Sequence, residues 1–218
     1  MGVTKRKLIS DIELRVTNAK PSDDLSLPKE QISYWLDVQR DALVANYLND
    51  LGRKGQPISS EYLSKQVFTE FDGVDVDGDS YVDDVSLLLD KKPLNLLNDA
   101  GIVRVVDNGF REYHKRDLHN IQWLKDLKYC QPDTDTLTYH RENLTLIVQG
   151  LVSALFNYDT VTVYYVTSYV AESPEFDDEF VIDENLLDIL LEEVEMLARR
   201  EIYETAEDLE NDGEQDLN

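Results

Sequence analysis

The residues with the clearest potential for metal chemistry lie in an acidic stretch, Asp75–Asp84, near the middle of the chain. With Gly78 at the sixth position of a calcium-binding loop, Asp75 and Asp77 take the third and fifth positions. The first ligand position then falls on Gly73, which has no side-chain oxygen, and the twelfth falls on an aspartate where a bidentate glutamate is preferred. An acidic surface turn is therefore the favoured interpretation, and calcium binding is the weaker alternative.

The histidines and the single cysteine form no catalytic or metal-binding pattern. His114 and His119 lie five residues apart, whereas a helical zinc pair has a spacing of four, and Lys115-Arg116 between them would oppose a cation. His140 is predicted to lie on the surface beside a hairpin turn. Cys130 has no catalytic signature around it, and the chain lacks nucleophile-elbow, phosphate-loop and dinucleotide motifs. The sequence therefore predicts a protein that is not an enzyme and holds no metal or cofactor.

Aromatic and apolar side chains suggest a surface for protein partners instead. The chain has 12 tyrosines and 2 tryptophans, and both residue types are enriched at protein interfaces, although core packing is their default role. Three tyrosines cluster around one predicted strand, and a second apolar set forms the stripe of the last predicted helix. The predicted partner-binding residues are Tyr164, Tyr165, Tyr169, Leu187, Leu190, Leu191, Val194, Leu197 and Ile202.

The charge of the chain is strongly negative and unevenly distributed. The 218 residues carry a formal net charge of −24, and residues 172–218 hold 19 carboxylates against only two arginines. Such a surface repels the phosphate backbone, so the charge argues against a sequence-reading DNA-binding protein. A solvated acidic face that maintains solubility is the simplest interpretation of the charge. No apolar run approaches the roughly 18–20 residues that cross a bilayer, so no membrane role is predicted.

Hydrophobic periodicity predicts helices at both ends of the chain. The first is predicted over Lys5–Thr17, the second from a cap at Ser26 to Gly52, and the last from a cap at Asp183 to about Leu209. Each has apolar residues at spacings of three and four, so each is expected to pack along one face. Residues Glu210–Asn218 have no apolar face and are predicted to be a disordered acidic tail when the chain is alone.

The middle of the chain predicts short strands. Val161–Val166 alternates most clearly, Ile102–Val106 is rich in β-branched residues, and Thr136–Tyr139 with Leu144–Val148 flanks a predicted hairpin turn at residues 140–143. Residues 61–66 suggest a helical turn, and residues 115–127 suggest a short helix or an irregular arm. The predicted fold is α+β, with a helical bundle built from the N-terminal helices and the long C-terminal helix around a central antiparallel β domain. The expected domain boundaries are 1–55 for the N-terminal helices, 56–175 for the β-rich insertion domain, 176–209 for the C-terminal helix that packs on the N-terminal helices, and 210–218 for the acidic tail.

This layout resembles a known family of structural proteins. The segments that carry the resemblance are Lys92–Val105, the arm around Trp123-Leu124, Thr138–Gly150 and Val161–Val166, together with the opening Leu8–Asp11 and Pro28–Ile32. Together they resemble the head–tail connector (ring or adaptor) proteins of short-tailed bacteriophages, especially crAss-like phages. Proteins of the tail tubular protein A type are a more distant likeness. The resemblance covers roughly residues 5–205.

The resemblance implies a structural virion protein made in the host cytoplasm. Subunits would form a homo-oligomeric ring, typically of about twelve copies, that joins the portal to adjacent tail or ring proteins. Double-stranded DNA would pass through the ring without sequence-specific binding. A separate hypothesis, based on the net charge of −17 and the apolar stripe of residues 172–218, is that the acidic C-terminal helix or tail contacts the portal or the lumen.

Two other function classes remain open. An acidic DNA-mimic inhibitor of a host DNA-binding protein fits the total charge, but residues 1–171 carry a net charge of only −7, whereas a mimic needs acidity over its whole binding face. A cytoplasmic enzyme whose site follows no known motif is the third interpretation.

Overall fold

The computed structural model describes residues 3–17, 27–69, 72–74, 84–96, 100–107, 112–115, 138–149 and 160–215. For residues 72–74, 84, 149 and 204–215 the description covers the backbone. The chain has an α+β fold, as predicted. The helices are α1 (Lys5–Val16), α2 (Lys29–Arg53) and α3 (Glu184–Gln215), with a 3₁₀ turn at Ser60–Tyr62. The strands are β1 (Val3–Thr4), β2 (Leu63–Phe68), β3 (Asp72–Val74), β4 (Asp84–Leu88), β5 (Ile102–Asp107), β6 (His114–Lys115), β7 (Thr138–Glu142), β8 (Thr145–Gln149), β9 (Val161–Val166) and β10 (Glu179–Phe180).

The chain divides into two compact units. One, here called the helical unit, comprises Met1–Glu61 and Ser168–Asn218, and the other, called the β unit, comprises Tyr62–Thr167. The β unit is therefore an insertion in the sequence of the helical unit. The predicted middle domain, 56–175, extends beyond the β unit at both ends.

The helical unit is held together by the apolar faces of its three helices, which contact one another pairwise. Buried residues recur at spacings of three and four in each helix, because only one side of an amphipathic helix faces the core. They include Leu8, Ile9 and Ile12 of α1, Ile32 and Leu36 of α2, and Leu190, Leu191, Val194 and Ala198 of α3. The two-residue strands β1 and β10 pair in antiparallel fashion beside this core.

The start of α3 is fixed by Asp183, as predicted. Its Oδ1 accepts the backbone N–H of Asn185 at 3.0 Å, which satisfies a donor that has no partner within the helix. The predicted cap of α2, Ser26, lies outside the described residues, and Pro28 directly precedes that helix. The predicted end of α3 near Leu209 was too early, since the helix continues to Gln215.

The β unit contains a three-stranded sheet whose centre is the strand predicted most clearly. Strand β9 lies between β2 and β5 and pairs with both in antiparallel fashion. Val161, Val163 and Tyr165 on one face of β9 are buried in the core of this unit. At the end of β9, the Val166 N–H donates to the Gly101 carbonyl at 2.9 Å, and its carbonyl accepts the Leu94 N–H at 2.7 Å.

The second sheet of the β unit has the order β3-β4-β8-β7-β6. Its β7–β8 hairpin confirms the predicted pairing, but the turn is the two residues Asn143-Leu144 and not the four predicted, and Asn143 has a φ of 57°. Strands β6 and β7 are parallel, an exception to the antiparallel arrangement predicted. The predicted helical turn at residues 61–66 was mostly wrong, because β2 begins at Leu63 and is held by its pairing with β9. All but the first residue of the predicted arm at 115–127 lie outside the described residues.

Candidate functional site

Most of the predicted partner-binding side chains belong to the two cores. Tyr165 is buried in the β unit, and Tyr169, Leu190, Leu191 and Val194 are buried in the helical unit. The apolar stripe of α3, which was predicted both to pack on the N-terminal helices and to bind a partner, is covered by α1 and α2 in the helical unit. The other four predicted residues, Tyr164, Leu187, Leu197 and Ile202, are half-buried. A partner surface on α3 must therefore use other side chains.

The candidate metal ligands are scattered or lie outside the described residues. Residues 75–83 of the acidic stretch lie outside, as do His119 and Cys130, and His114 is exposed on β6. Among the residues that the structure describes, no three histidine, cysteine or carboxylate side chains come together as a metal site would require. Within the same residues, no helix is long and apolar enough to cross a membrane.

His140 is not a surface residue, contrary to the prediction. It lies on β7 with 2% of its surface exposed, and neither ring nitrogen has a hydrogen-bond partner among the described residues. The Glu142 carboxylate lies beside it, with Oε1 at 3.8 Å from Nε2. Burial lowers the pKa of the His140 imidazole below its ordinary value, and the Glu142 carboxylate only partly opposes that shift. The ring is therefore held neutral at physiological pH.

A buried ion pair connects the start of α1 to the middle of α2. The Lys5 ammonium, which is fully buried, donates to Asp37 Oδ2 at 2.7 Å and also to the Ser173 hydroxyl. Burial raises the pKa of the Asp37 carboxyl above its ordinary value, although the hydrogen bonds from Lys5 and Ser173 oppose that shift. Asp37 Oδ1 is buried and has no hydrogen-bond partner within the part of the chain that the structure describes.

One turn further along α2, Asp41 binds the segment that follows the β unit. Its carboxylate accepts the Ser168 hydroxyl at 2.6 Å and the backbone N–H groups of Tyr169 and Val170 at 3.1 Å each. Arg40 donates to Asp41 at 2.9 Å, and its guanidinium carbon lies 3.9 Å from the centre of the Tyr169 ring. These bonds satisfy backbone donors that would otherwise be buried without partners. The arrangement fixes the returning chain to α2.

Sequence reasoning missed these two clusters, although a signal was present. Lys5 stands three and four residues before Leu8 and Ile9, so it occupies a position of the apolar stripe of α1. Asp37 and Asp41 likewise interrupt the buried face of α2. A charged residue at a core-facing position indicates a buried pair, but the sequence does not identify its partner.

An acidic groove lies where β10 leads into α3. Its volume is about 810 Å³, and its lining includes the carboxylates of Glu61, Glu179, Asp183, Glu184 and Asp188. The other lining residues are Val3, Phe180, Val181, Ile182, Asn185 and Leu187, so the lining residues that the structure describes include no cationic side chain. A groove lined by carboxylates and apolar side chains suits a basic segment of a partner protein.

No protein-family model matches the chain, and a search of curated proteins finds no similar sequence.

Proposed function

We propose that this chain is a structural subunit of a bacteriophage head–tail connector, forming a ring of about twelve copies between the portal and the tail. The observation that carries the proposal is the architecture: a three-helix unit interrupted by a β-rich insertion, with the last helix closing the core begun by the first two. This is the layout implied by the sequence resemblance. The role is mechanical and requires no catalysis.

The distribution of charge supports the same function. The helical unit carries 28 carboxylates against 11 basic side chains, a net charge of −17, whereas the β unit carries 17 against 10, a net charge of −7. A lumen lined by an acidic surface would repel the DNA backbone and let the duplex pass without adhering. The acidic helical unit is the part of the subunit suited to that position.

The copy number of the protein in purified virus particles tests the proposal. Quantitative mass spectrometry against the portal protein should give a ratio near one, so about twelve copies in a closed cyclic ring. Absence from particles would overturn the proposal. An acidic DNA-mimic inhibitor would then become the leading hypothesis. Binding to a host nuclease or repressor, with DNA competing for the same site, would support it.

A truncation of the chain tests the role proposed for its acidic C-terminal end. Particles assembled with a chain lacking Glu207–Asn218 should fail to complete the junction or should lose DNA after packaging. Particle yield and retained DNA would be measured beside those of the full chain. Normal assembly with full DNA retention would show that the end of α3 is not needed for the connector role. The ring itself would still be tested by the copy number.

A further inference from the structure

A second apolar stripe runs along α3 on the side opposite the core. Ile189, Met196 and Tyr203 lie seven residues apart, with 43%, 65% and 67% of their surfaces exposed. Seven residues make almost two turns, so at about 100° per residue the three side chains fall within an arc of about 40°. The centre of that arc lies about 180° from the centre of the buried stripe. We call these three residues the outer stripe.

Isolated exposed apolar residues are common and need no explanation. The outer stripe differs because its three members share one line and one spacing, on a helix whose core-facing residues are already buried. In a packed helix pair, two positions of every seven, a and d, form the apolar seam. The outer stripe supplies one of these positions three times in succession, so it offers one row of apolar contacts to another helix.

The charges beside the outer stripe are mainly negative. Asp188 and Glu192 are exposed on α3, and Glu193 is half-exposed. The Arg199 guanidinium is bound within the unit, since it donates to Glu195 and to the Arg15 carbonyl at 2.9 Å each. Arg200 is the other basic residue of α3, and the sequence beyond Tyr203 adds six carboxylates up to Gln215. The surface around the stripe therefore favours a cationic partner.

The outer stripe leads directly into the acidic groove. Asn185 and Asp188, which line the groove, lie four residues and one residue before Ile189 on the same helix. A segment lying along the stripe would thus reach the five carboxylates of the groove with its end. The stripe and the groove both lie within the helical unit, so one partner segment can contact both.

We propose that the outer stripe and the acidic groove together dock a basic amphipathic helix of another protein, with apolar residues at seven-residue spacing flanked by lysine or arginine. A second copy of this chain fits poorly. Its net charge is −24, and its own outer stripe is flanked by the same carboxylates, so self-pairing would place like charges together. The proposal does not depend on the connector function, since it concerns only the surface of the helical unit.

A synthetic peptide tests the proposal with the full chain in solution. The probe is a helical peptide of about three heptads with leucine at every seventh position and lysine beside it, and its control carries glutamate in place of lysine. Titration should show binding of the lysine peptide, weakened by salt, and no binding of the glutamate peptide. The Met196→Ser/Tyr203→Ser variant should bind the lysine peptide about tenfold more weakly.

A matched variant distinguishes docking at the outer stripe from nonspecific binding by exposed apolar side chains. Leu14→Ser/Tyr34→Ser removes two side chains that are each 58% exposed on the other two helices, and it should leave the affinity unchanged. All the substituted side chains are exposed, so both variants should keep the helical circular dichroism of the parent chain. Equal weakening by the two variants, or no binding of the lysine peptide, would overturn the proposal. Sedimentation showing a dimer that Met196→Ser abolishes would also overturn it, because the occupant would then be a second copy.

Discussion

The ammonium of Lys5 and the carboxylate of Asp37 illustrate how a buried charge depends on its partner. Asp37→Ala should lower the free energy of unfolding by about 3–5 kcal/mol, because the buried ammonium would lose its counter-charge. The double variant Lys5→Met/Asp37→Leu should recover most of that loss, because apolar residues can replace a buried pair at little net cost. Urea denaturation followed by circular dichroism would measure both. A double variant no more stable than Asp37→Ala would contradict this account.

His140 should make the β unit sensitive to acid. Burial lowers the pKa of the folded-state imidazole, so the unfolded chain binds more protons once the pH falls below about 6.5. The free energy of unfolding should then fall by at most about 1.4 kcal/mol per pH unit until the pH reaches the folded-state pKa. Denaturation curves between neutral and mildly acidic pH would measure the slope.

Two substitutions identify His140 as the group responsible. His140→Leu should reduce the slope below pH 6.5, because the neutral replacement has no proton to bind. His114→Leu, at an exposed histidine on β6, should leave the contribution of His140 in place. An unchanged slope in the His140 variant would show that another group carries the acid sensitivity.

At the scale of single elements, Gly101 has less room for a side chain than Gly52 and Gly55, the other glycines whose surroundings are described. A Cβ atom there would collide with the Leu94 carbonyl oxygen, which belongs to backbone that is itself bonded to β9. Gly101→Ala should therefore cost about 1–3 kcal/mol, the usual penalty for overpacking. Thermal or urea unfolding of the β unit would measure the loss.

Gly52, in the last turn of α2, gives the matched control. A Cβ atom there would have nothing within 4 Å, so Gly52→Ala should stabilise the helical unit by about 0.5–1 kcal/mol through lower chain entropy and better helix propensity. If both substitutions changed stability in the same direction, crowding by Leu94 would not be the cause at Gly101.

The elements predicted best from sequence are those whose own pattern determines them. Strand β9 alternates along its length, and α3 has both a capping aspartate and a regular apolar stripe, so local sequence was sufficient for each. Strand β2, Leu63–Phe68, has weak alternation and is held by its pairing with β9, a contact 93 or more residues away in sequence that no local pattern contains. The parallel β6–β7 pair is two residues long, and local sequence likewise does not predict it.

The candidate surface was predicted less well, for a physical reason. An apolar stripe on a helix indicates burial but does not say what covers it. The buried stripe of α3 was therefore predicted to bind a partner as well as to pack on the N-terminal helices. The helical unit itself covers that stripe. The outer stripe of three residues is shorter and became evident only when the exposed side of α3 was known.

At the scale of the whole molecule, the insertion of the β unit makes its removal testable. The strands that open and close it are paired neighbours, with Leu63 opposite Val166, so the two ends of the unit lie side by side. A chain in which a short glycine–serine linker joins Glu61 to Ser168 should keep a complete helical core and unfold cooperatively. Circular dichroism during urea denaturation would check this, with the isolated 62–167 segment as the companion protein.

That companion should fold by itself, because the β unit has its own buried core. A linked helical unit that binds a hydrophobic dye and melts without a cooperative transition would show that the helices depend on the insertion for their stability. The docking surface of the helical unit could also be titrated in the linked protein once its folding is established.

The closing role of α3 has a consequence for the order of events on the ribosome. Helices α1 and α2 are synthesised by Arg53, but the α3 side chains that complete their core begin at Leu190, 137 residues later. Translation adds roughly 5–20 residues per second, so the faces of α1 and α2 that α3 covers stay exposed for about 7–27 s. Synthesis of the β unit ends at Thr167, 23 residues before Leu190. A nascent chain of this kind should carry a folded β unit while its N-terminal helices are still substrates for chaperones.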